Sequence, residues 1–180
     1  AAGAAVNQPA NDGSTPLFIA CQKGHAEVAL MLLAAGAAVN QPRNGGFTPL
    51  YRACQEGRTE SVSVLLAAGA AVDQPNNDGL TPLYWACCDG RLACVQLLSS
   101  YGASRTFPFD DGETETAEQI TAADEHPHVL AWLVESRQWS TPLHHLTVID
   151  AARARALLRD GTLIRGSHRA APRPAPLTAV

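Results

Sequence analysis

The chain repeats itself with a fixed period of 33 residues. The triplet Thr-Pro-Leu marks the period, at 15–17, 48–50 and 81–83. Flanking phrases recur in phase: Leu-Leu-Ala-Ala-Gly-Ala-Ala-Val at 32–39 and 65–72, and Asn-Gln-Pro at 7–9 and 40–42, with Asp-Gln-Pro at 73–75. A period of this length is typical of a solenoid, in which each unit buries its apolar face against its neighbours. The question of function therefore becomes which face of the stack binds something.

Each unit carries the signals of a turn followed by two helices. Turn dipeptides precede the triplets, at Asp12-Gly13, Asn44-Gly45 and Asp78-Gly79. The threonine hydroxyl can cap a helix, and the proline after it fits the first helical position. Glycines at two further positions of each unit predict the helix ends. The first helix is predicted to end at Gly24, Gly57 and Gly90, and the second at Gly36, Gly69 and Gly102. The second helix of each unit shows apolar spacing, as in Val28, Met31 and Leu32.

This combination resembles the ankyrin repeat, whose unit has a β-turn finger, a short inner helix, a longer outer helix and a returning loop. The resemblance implies an all-α repeat solenoid, an ankyrin-type stack of helix-turn-helix units with β-turn fingers. It covers about residues 1–160, strongly up to Gly102 and weakly beyond. The chain opens with the phrase that ends the outer helix at 34–39. We therefore expect it to be a fragment with more repeats before it.

We predict one array at 1–161 and an Arg-, Pro- and Ala-rich tail at 162–180 that is mostly disordered. The array is divided into the end of a truncated repeat (1–6), three regular repeats (7–39, 40–72 and 73–105), a degenerate repeat (106–140) and a capping repeat without a finger (141–161). The degenerate repeat places Thr116 at 35 residues from Thr81, so its finger at 107–112 is predicted to be extended.

No sequence motif indicates catalysis, a cofactor or a metal. Nucleophile elbows, phosphate-binding loops and zinc-protease motifs are all missing, so we predict that the protein is not an enzyme. Cys21, Cys54 and Cys87 lie one repeat apart and are predicted to be buried, unpaired thiols. Free thiols favour a reducing compartment, so we expect an intracellular, cytoplasmic protein. No segment approaches about 18 consecutive apolar residues, so no membrane insertion is expected. We also expect a monomer.

Charge is distributed unevenly along the chain. Residues 1–125 hold 6 basic and 14 acidic side chains, net −8, and residues 126–180 hold 7 basic and 3 acidic, net +4. One interpretation assigns the acidic stretch at 110–125 to a basic partner and the arginines to nucleic acid or an acidic surface. The alternative, which we favour, is a solvated face and a disordered tail, because the basic residues lack interleaved aromatics. No nucleic-acid partner is expected.

Aromatic residues mark the main departure from the common ankyrin pattern. The family commonly has His after Thr-Pro-Leu, where this chain has Phe18, Tyr51 and Tyr84. The resemblance implies that fingers and inner helices line a concave groove that binds partners. Tyr, Trp and Arg are also the residues enriched at binding hot spots. The predicted partner-binding residues are Asn11, Asp12, Phe18, Ile19, Arg43, Asn44, Phe47, Tyr51, Arg52, Asn76, Asn77, Leu80, Tyr84 and Trp85.

Not all of these residues are predicted to be equally exposed. The rings of Phe18, Tyr51 and Tyr84 either face the groove or pack between adjacent inner helices, and the sequence leaves both open. Phe47, Arg52 and Trp85 are expected at the surface. The polar finger residues are expected to be exposed in either case, namely Asn11, Asp12, Arg43, Asn44, Asn76 and Asn77.

The resemblance implies a protein–protein interaction module that binds an unidentified protein through its concave face. One alternative is a substrate-recognition or targeting arm of a larger enzyme or ubiquitin-ligase adaptor. Another is a passive scaffold or spacer, for which truncating the concave aromatics would leave every interaction intact.

Overall fold

The computed structural model describes residues 5–109 and 112–138, and the predicted capping repeat at 141–161 and the tail at 162–180 lie outside them. Within the described ranges the chain forms four consecutive helix pairs and one strand pair. The elements are α1 Pro16–Lys23, α2 Ala26–Ala34, α3 Pro49–Gln55, α4 Thr59–Ala67, α5 Pro82–Cys88, α6 Leu92–Ser100, β1 Thr106–Pro108, β2 Thr114–Thr116, α7 Ala117–Ala123 and α8 Pro127–Glu135, followed by a 3-10 turn at Ser136–Gln138.

The inner helices α1, α3, α5 and α7 all begin in the same way. A threonine hydroxyl accepts a hydrogen bond from the backbone N–H three residues later, at N–O distances of 3.2, 3.1, 3.3 and 3.3 Å, for Thr15, Thr48, Thr81 and Thr116. Proline occupies the first turn of α1, α3 and α5. In α7 the Gln119 side chain also accepts from the backbone N–H of Thr116, at 2.8 Å. The predicted caps are confirmed.

Glycines in the left-handed region follow the inner helices, as the sequence predicts. Gly24, Gly57 and Gly90 have φ angles of 78°, 66° and 63°. In the fourth unit the same place is taken by Glu125, with φ 59°. An L side chain there is unfavourable, so the degenerate unit carries a local strain that the regular units avoid.

The helices form two parallel layers. Each inner helix contacts the next one, from α1 through α3 and α5 to α7, and the outer helices α2, α4, α6 and α8 are in contact in the same order. Equivalent positions of each unit form the core between the layers, such as Leu17, Leu50 and Leu83, or Cys21, Cys54 and Cys87. All five cysteines are free, and Cys21, Cys54 and Cys87 are buried as predicted. The all-α stack of helix-turn-helix units is confirmed.

Polar contacts join the first residue of each regular unit to the end of the same unit, and so connect the returning loops that flank it. A side-chain oxygen of the loop accepts from a backbone N–H 31 residues later, in the pairs Asn7–Ala38 at 2.8 Å, Asn40–Ala71 at 2.9 Å and Asp73–Ser104 at 3.0 Å. These bonds fix each loop against the next.

A second set of contacts joins the units at the ends of the inner helices. A side chain at the start of an outer helix bonds a carbonyl oxygen of the preceding unit, in the pairs Arg58 Nε–Gln22 at 3.2 Å, Arg91 Nε–Gln55 at 3.4 Å and His126 Nε2–Cys88 at 2.7 Å. The interaction is therefore repeated at three consecutive junctions.

The fourth finger differs from the other three because it contains a strand pair. Strands β1 and β2 are antiparallel, with Thr106 opposite Thr116 and Phe107 opposite Glu115. Asp110 and Asp111, which belong to this longer finger, lie outside the described ranges. The hairpin brings Phe107 and Phe109 onto the side of the stack formed by the inner helices, where both contact Tyr84.

Candidate functional site

The first three fingers are joined into one rim by their backbones. The N–H of Asn44 donates to the carbonyl of Asp12, and the N–H of Asn77 donates to the carbonyl of Gly45, both at 3.0 Å. A Cβ atom at Gly13 or Gly46 would lie 2.9 or 2.7 Å from the backbone nitrogen of the next finger. Glycine at these positions therefore allows the fingers to approach closely enough to bond.

Arg43 is held between the first two fingers. Its guanidinium carbon lies 5.5 Å from the ring centroid of Phe18 and 5.2 Å from that of Phe47, and Nη1 lies 3.5 Å from Asp12 Oδ2. The pKa of Asp12 is lowered, mainly by hydrogen bonds from Ser14 and also by Arg43. The cation is thus fixed over two rings before any partner arrives.

Phe18 and Tyr51 lie below this surface. Both are fully buried, so the packing interpretation holds for them. Phe47 covers Tyr51 edge-on, with ring centroids 5.1 Å apart, and is itself only partly buried. The two buried rings therefore lie beneath Phe47 and Arg43.

The expectation that Asn76 is exposed is wrong. Asn76 is only 6% exposed, because its Oδ1 accepts from the backbone N–H groups of Asp78 and Leu80 at 3.1 and 2.9 Å. Its amide nitrogen also lies 3.4 Å from Tyr51 Oη. Asn76 therefore shapes the third finger from inside.

The expected exposure is correct for four of the other polar finger residues and wrong for Arg43, which is covered by its contacts with Phe18, Phe47 and Asp12. Asn11, Asp12, Asn44 and Asn77 are exposed, whereas Arg43 and Leu80 are half-buried. The exposed amides and carboxylate lie on both sides of the rings and offer hydrogen bonds to a partner.

An aromatic cluster connects the third inner helix with the fourth finger. Tyr84 makes edge-to-face contacts with its three other members, at centroid distances of 6.1, 5.4 and 6.2 Å to Trp85, Phe107 and Phe109. Phe107 is buried, and the other three are half-buried. Phe107 and Phe109 were not among the predicted site residues, although their place in the lengthened finger was a usable signal.

A second row of predicted residues runs along the inner helices. Ile19 is 43% exposed, and Arg52 and Trp85 at the equivalent positions are half-buried. Arg52 donates to Gln55 and lies 3.8 Å from the Glu56 carboxylate. The expected surface position of Phe47, Arg52 and Trp85 agrees with their partial exposure.

Three nitrogen donors of this surface have no acceptor in the described part of the chain. They are Arg43 Nε, Arg52 Nε and Trp85 Nε1, all shielded from solvent. A shielded N–H without an acceptor is unfavourable by about 1–3 kcal/mol.

Carboxylates follow three successive inner helices, and we call Glu56, Asp89 and Asp124 the acidic row. They are the C-cap residues of α3, α5 and α7, spaced 33 and 35 residues apart. Sequence reasoning did not single them out, although acidic residues at helix C-termini are unusual because the helix dipole is negative there. The equivalent residue of α1 is the basic Lys23.

Asp124, one member of the acidic row, lies beside the aromatic cluster. Burial raises the pKa of Tyr84, with contributions from Cys88, Glu115 and Asp124. Burial likewise raises the pKa of Cys88 to about 12, with a further contribution from its hydrogen bond to Asp124. We call the fingers and the inner helices, with the aromatic cluster and the acidic row that they carry, the concave surface.

Residues 5–109 and 112–138 offer neither a metal site nor a membrane-spanning helix. In these ranges no group of three or more His, Cys, Asp or Glu side chains is arranged to hold a metal ion. Over the same ranges, every helix is too short or too polar to cross a membrane.

Comparison with known proteins gives one family. The family model described as ankyrin repeats (3 copies) matches residues 2–76, 36–108 and 65–142. These overlapping matches cover more than half of the chain. No curated protein matches it.

Proposed function

Because this chain belongs to the ankyrin repeat family, whose members are generally protein-interaction modules, we propose that it binds a protein partner through the concave surface. The observation that carries the proposal is the half-exposed aromatic layer of Phe47, Tyr84 and Trp85. Aromatic and arginine side chains in such partly shielded positions dominate the binding energy of many interfaces.

The rigidity of the surface supports the same proposal. The fingers are bonded to each other through their backbones, and Arg43 is held by two rings and one carboxylate. A surface that is already ordered loses little conformational entropy when a partner binds. Binding therefore depends on shape and on anchors that are fixed in advance.

Two wider roles are compatible with this surface. As the recognition arm of a larger enzyme or a ubiquitin-ligase adaptor, the array would use the same residues to hold a substrate. As a passive scaffold or spacer, it would need none of them. Substitutions on the concave surface therefore distinguish a binding role from a passive one.

The proposal also includes a non-catalytic, intracellular protein that acts as a single copy. Five unpaired thiols favour a reducing compartment. Burial raises the pKa of Cys21 and Cys87 to about 12, so these thiols are poor nucleophiles near neutral pH.

Affinity capture from cell lysate tests the proposal. The wild-type chain is compared with Arg52→Ala/Trp85→Ala, and the control is Leu30→Ala/Glu60→Ala, which changes exposed residues of the outer helices. Circular dichroism first establishes equal helix content. We expect partners that are retained by the control and lost from the concave variant. Identical partner lists for all three proteins would refute a concave binding site.

A further inference from the structure

Two buried cysteines of neighbouring units meet at the junction between the second and third units. Cys54 lies in the last turn of α3, in the second unit, and Cys94 lies in the first turn of α6, in the third. Both side chains are buried, and their thiols form a hydrogen bond with each other. Both thiols are free. The junction therefore holds the two halves of a disulfide in their reduced form.

Other hydrogen bonds hold the two helix ends together at this place. Nε of Arg91, the N-cap residue of α6, donates to the carbonyl oxygen of Gln55, the residue after Cys54, at 3.4 Å. Thr59, the first residue of α4, forms a further hydrogen bond with Cys94. The fold therefore keeps the two sulfur atoms beside each other.

Cys94 differs from the other four cysteines in its acidity. The hydrogen bond with Cys54 lowers the pKa of the Cys94 thiol, and Thr59 and the positive charge of Arg91 lower it further, against the effect of burial. Burial raises the pKa of the Cys54 thiol, as it does for the three remaining cysteines. Because the thiolate is the reactive form, Cys94 is the sulfur that reacts first with an oxidant.

The thiol pair occurs at one junction only among the described units. The cysteine at the end of the inner helix is present in all three regular units, whereas Cys94 has no thiol at its equivalent positions. These positions are Ser61, 33 residues earlier, and Val129, 35 residues later, and both are buried as Cys94 is. A buried position between units therefore carries a second thiol in the third unit alone.

We propose that Cys54 and Cys94 form a reversible disulfide that links the second and third units when the protein meets hydrogen peroxide. The Cys94 thiolate attacks one peroxide oxygen, the O–O bond breaks, and the departing hydroxide takes up a proton to become water. The Cys54 sulfur then attacks the sulfenic acid sulfur of Cys94. The S–S bond forms, and the S–O bond breaks as a second water leaves with the Cys54 proton. Two thiols thus give two electrons and two protons to one peroxide.

The disulfide would change the stability of the array. Cys54 and Cys94 are 40 residues apart in the sequence (94 − 54). A disulfide that closes a loop of this length restricts the unfolded chain and so stabilises the folded one. In a reducing compartment the link is transient, because small thiols and dithiol proteins reduce it by exchange. The junction is therefore strengthened during exposure to the oxidant and released afterwards.

Oxidation of the full, folded chain with hydrogen peroxide tests the proposal. Catalase removes the peroxide, the remaining thiols are alkylated in denaturant, and the product is analysed by intact mass and by peptide mapping. Cys94→Ser removes one member of the pair, and Cys88→Ser is the matched control, because it removes a half-buried thiol of the same unit outside the pair. Ser61→Cys supplies a second thiol at the preceding junction, where Cys21 is equivalent to Cys54.

We expect the oxidised wild type to lose about 2 Da, the mass of two hydrogen atoms, and to yield a peptide that joins residues 54 and 94. Three of its five thiols should then be alkylated, and dithiothreitol should restore all five. Cys88→Ser should keep this link, Cys94→Ser should lose it, and Ser61→Cys should gain a second one between residues 21 and 61. Peroxide should raise the midpoint of urea unfolding for the wild type and leave that of Cys94→Ser unchanged.

Three outcomes would overturn the proposal. The first is five free thiols in the treated wild type, and the second is oxidation of Cys94 to a sulfinic acid without a link to Cys54. The third is a set of links scattered among all the cysteines, as in a chain oxidised in urea, because the folded junction would then select nothing. None of these results bears on partner binding through the concave surface, so the two proposals are tested separately.

Discussion

His126 Nε2 lies 2.7 Å from the carbonyl oxygen of Cys88 and so joins the fourth unit to the third. At the two preceding junctions the same connection is made by Arg58 and Arg91. An imidazole thus replaces a guanidinium in a bond that is repeated along the stack. His128 Nε2 lies 3.2 Å from the carbonyl oxygen of Gly90 and adds a second contact at this junction.

Removing the imidazole should loosen the last described unit. We expect His126→Ala to lower the free energy of unfolding by about 1 kcal/mol, because it leaves the Cys88 carbonyl without this partner. His25→Ala is the matched control, since His25 is exposed at the equivalent position of the first unit. Hydrogen exchange at 127–135 is the measurement. Equal protection in both variants would show that the bond contributes nothing.

The left-handed position near the end of each inner helix gives a second prediction, in two directions. Gly90→Ala should lower the free energy of unfolding by about 1–2 kcal/mol, because φ at residue 90 is 63° and the added Cβ would lie 2.6 Å from His126 Nδ1. Glu125→Gly should raise the free energy of unfolding by about 0.5–1 kcal/mol, because glycine adopts the left-handed φ of 59° without strain. Urea denaturation followed by circular dichroism measures both. Destabilisation by Glu125→Gly would contradict the argument.

Equivalent positions of two outer helices should respond differently to truncation. Met31 is 65% exposed, whereas Leu97, two units later, is 9% exposed. Leu97→Ala should therefore lower the free energy of unfolding by about 2–3 kcal/mol, and Met31→Ala by less than about 0.5 kcal/mol. The midpoints of urea unfolding measure the difference. Similar values for the two variants would mean that burial does not determine the response.

The buried thiols should make stability depend on alkaline pH. Burial raises the pKa of Cys21 and Cys87 from about 9 to about 12. The unfolded chain therefore loses thiol protons first, and stability should be constant below about pH 9 and fall as pH rises towards 12. Unfolding curves at pH 7, 9 and 10.5 measure this, with a Cys21→Ala/Cys87→Ala variant as the control. A wild type and variant with the same pH dependence above 9 would contradict it.

The same thiols should react slowly in the native protein. A raised pKa leaves little thiolate at pH 8, and full burial restricts access. We expect a chromogenic disulfide reagent to label Cys21 and Cys87 much more slowly in the folded chain than in denaturant. Mass spectrometry of labelled peptides measures each site. Rapid native labelling of Cys21 would show that the first unit opens readily.

Much of the fold could be predicted because its signals are local and repeat in phase. Thr15, Gly24 and Cys21 each specify a cap, a helix end or a core position, and the next units give the same answer at the same offset. Side-chain exposure was harder to predict because it is decided by neighbouring units. Tyr51 is buried under Phe47, whereas Tyr84 at the equivalent position stays half-exposed beside Phe107 and Phe109.

Two features of the surface were missed for related reasons. The Asn76 side chain folds back to bond the backbone of its own finger, which composition does not reveal. The acidic row lies at equivalent places of the repeat, 33 and 35 residues apart, but only the structure shows that Glu56, Asp89 and Asp124 are the C-cap residues of their helices. Tertiary placement rather than residue type decides both.

The bonds between fingers, at helix ends and between returning loops do not lie on one line. The first two kinds join the first and second units, through Asn44 to Asp12 and Arg58 to Gln22, and the third joins the returning loops that flank the second unit, through Ala71 to Asn40. Attachments at three separate places restrict both the tilt and the twist of one unit relative to the next. We therefore expect the array to be stiff under mechanical force and to unfold one whole unit at a time, without gradual extension.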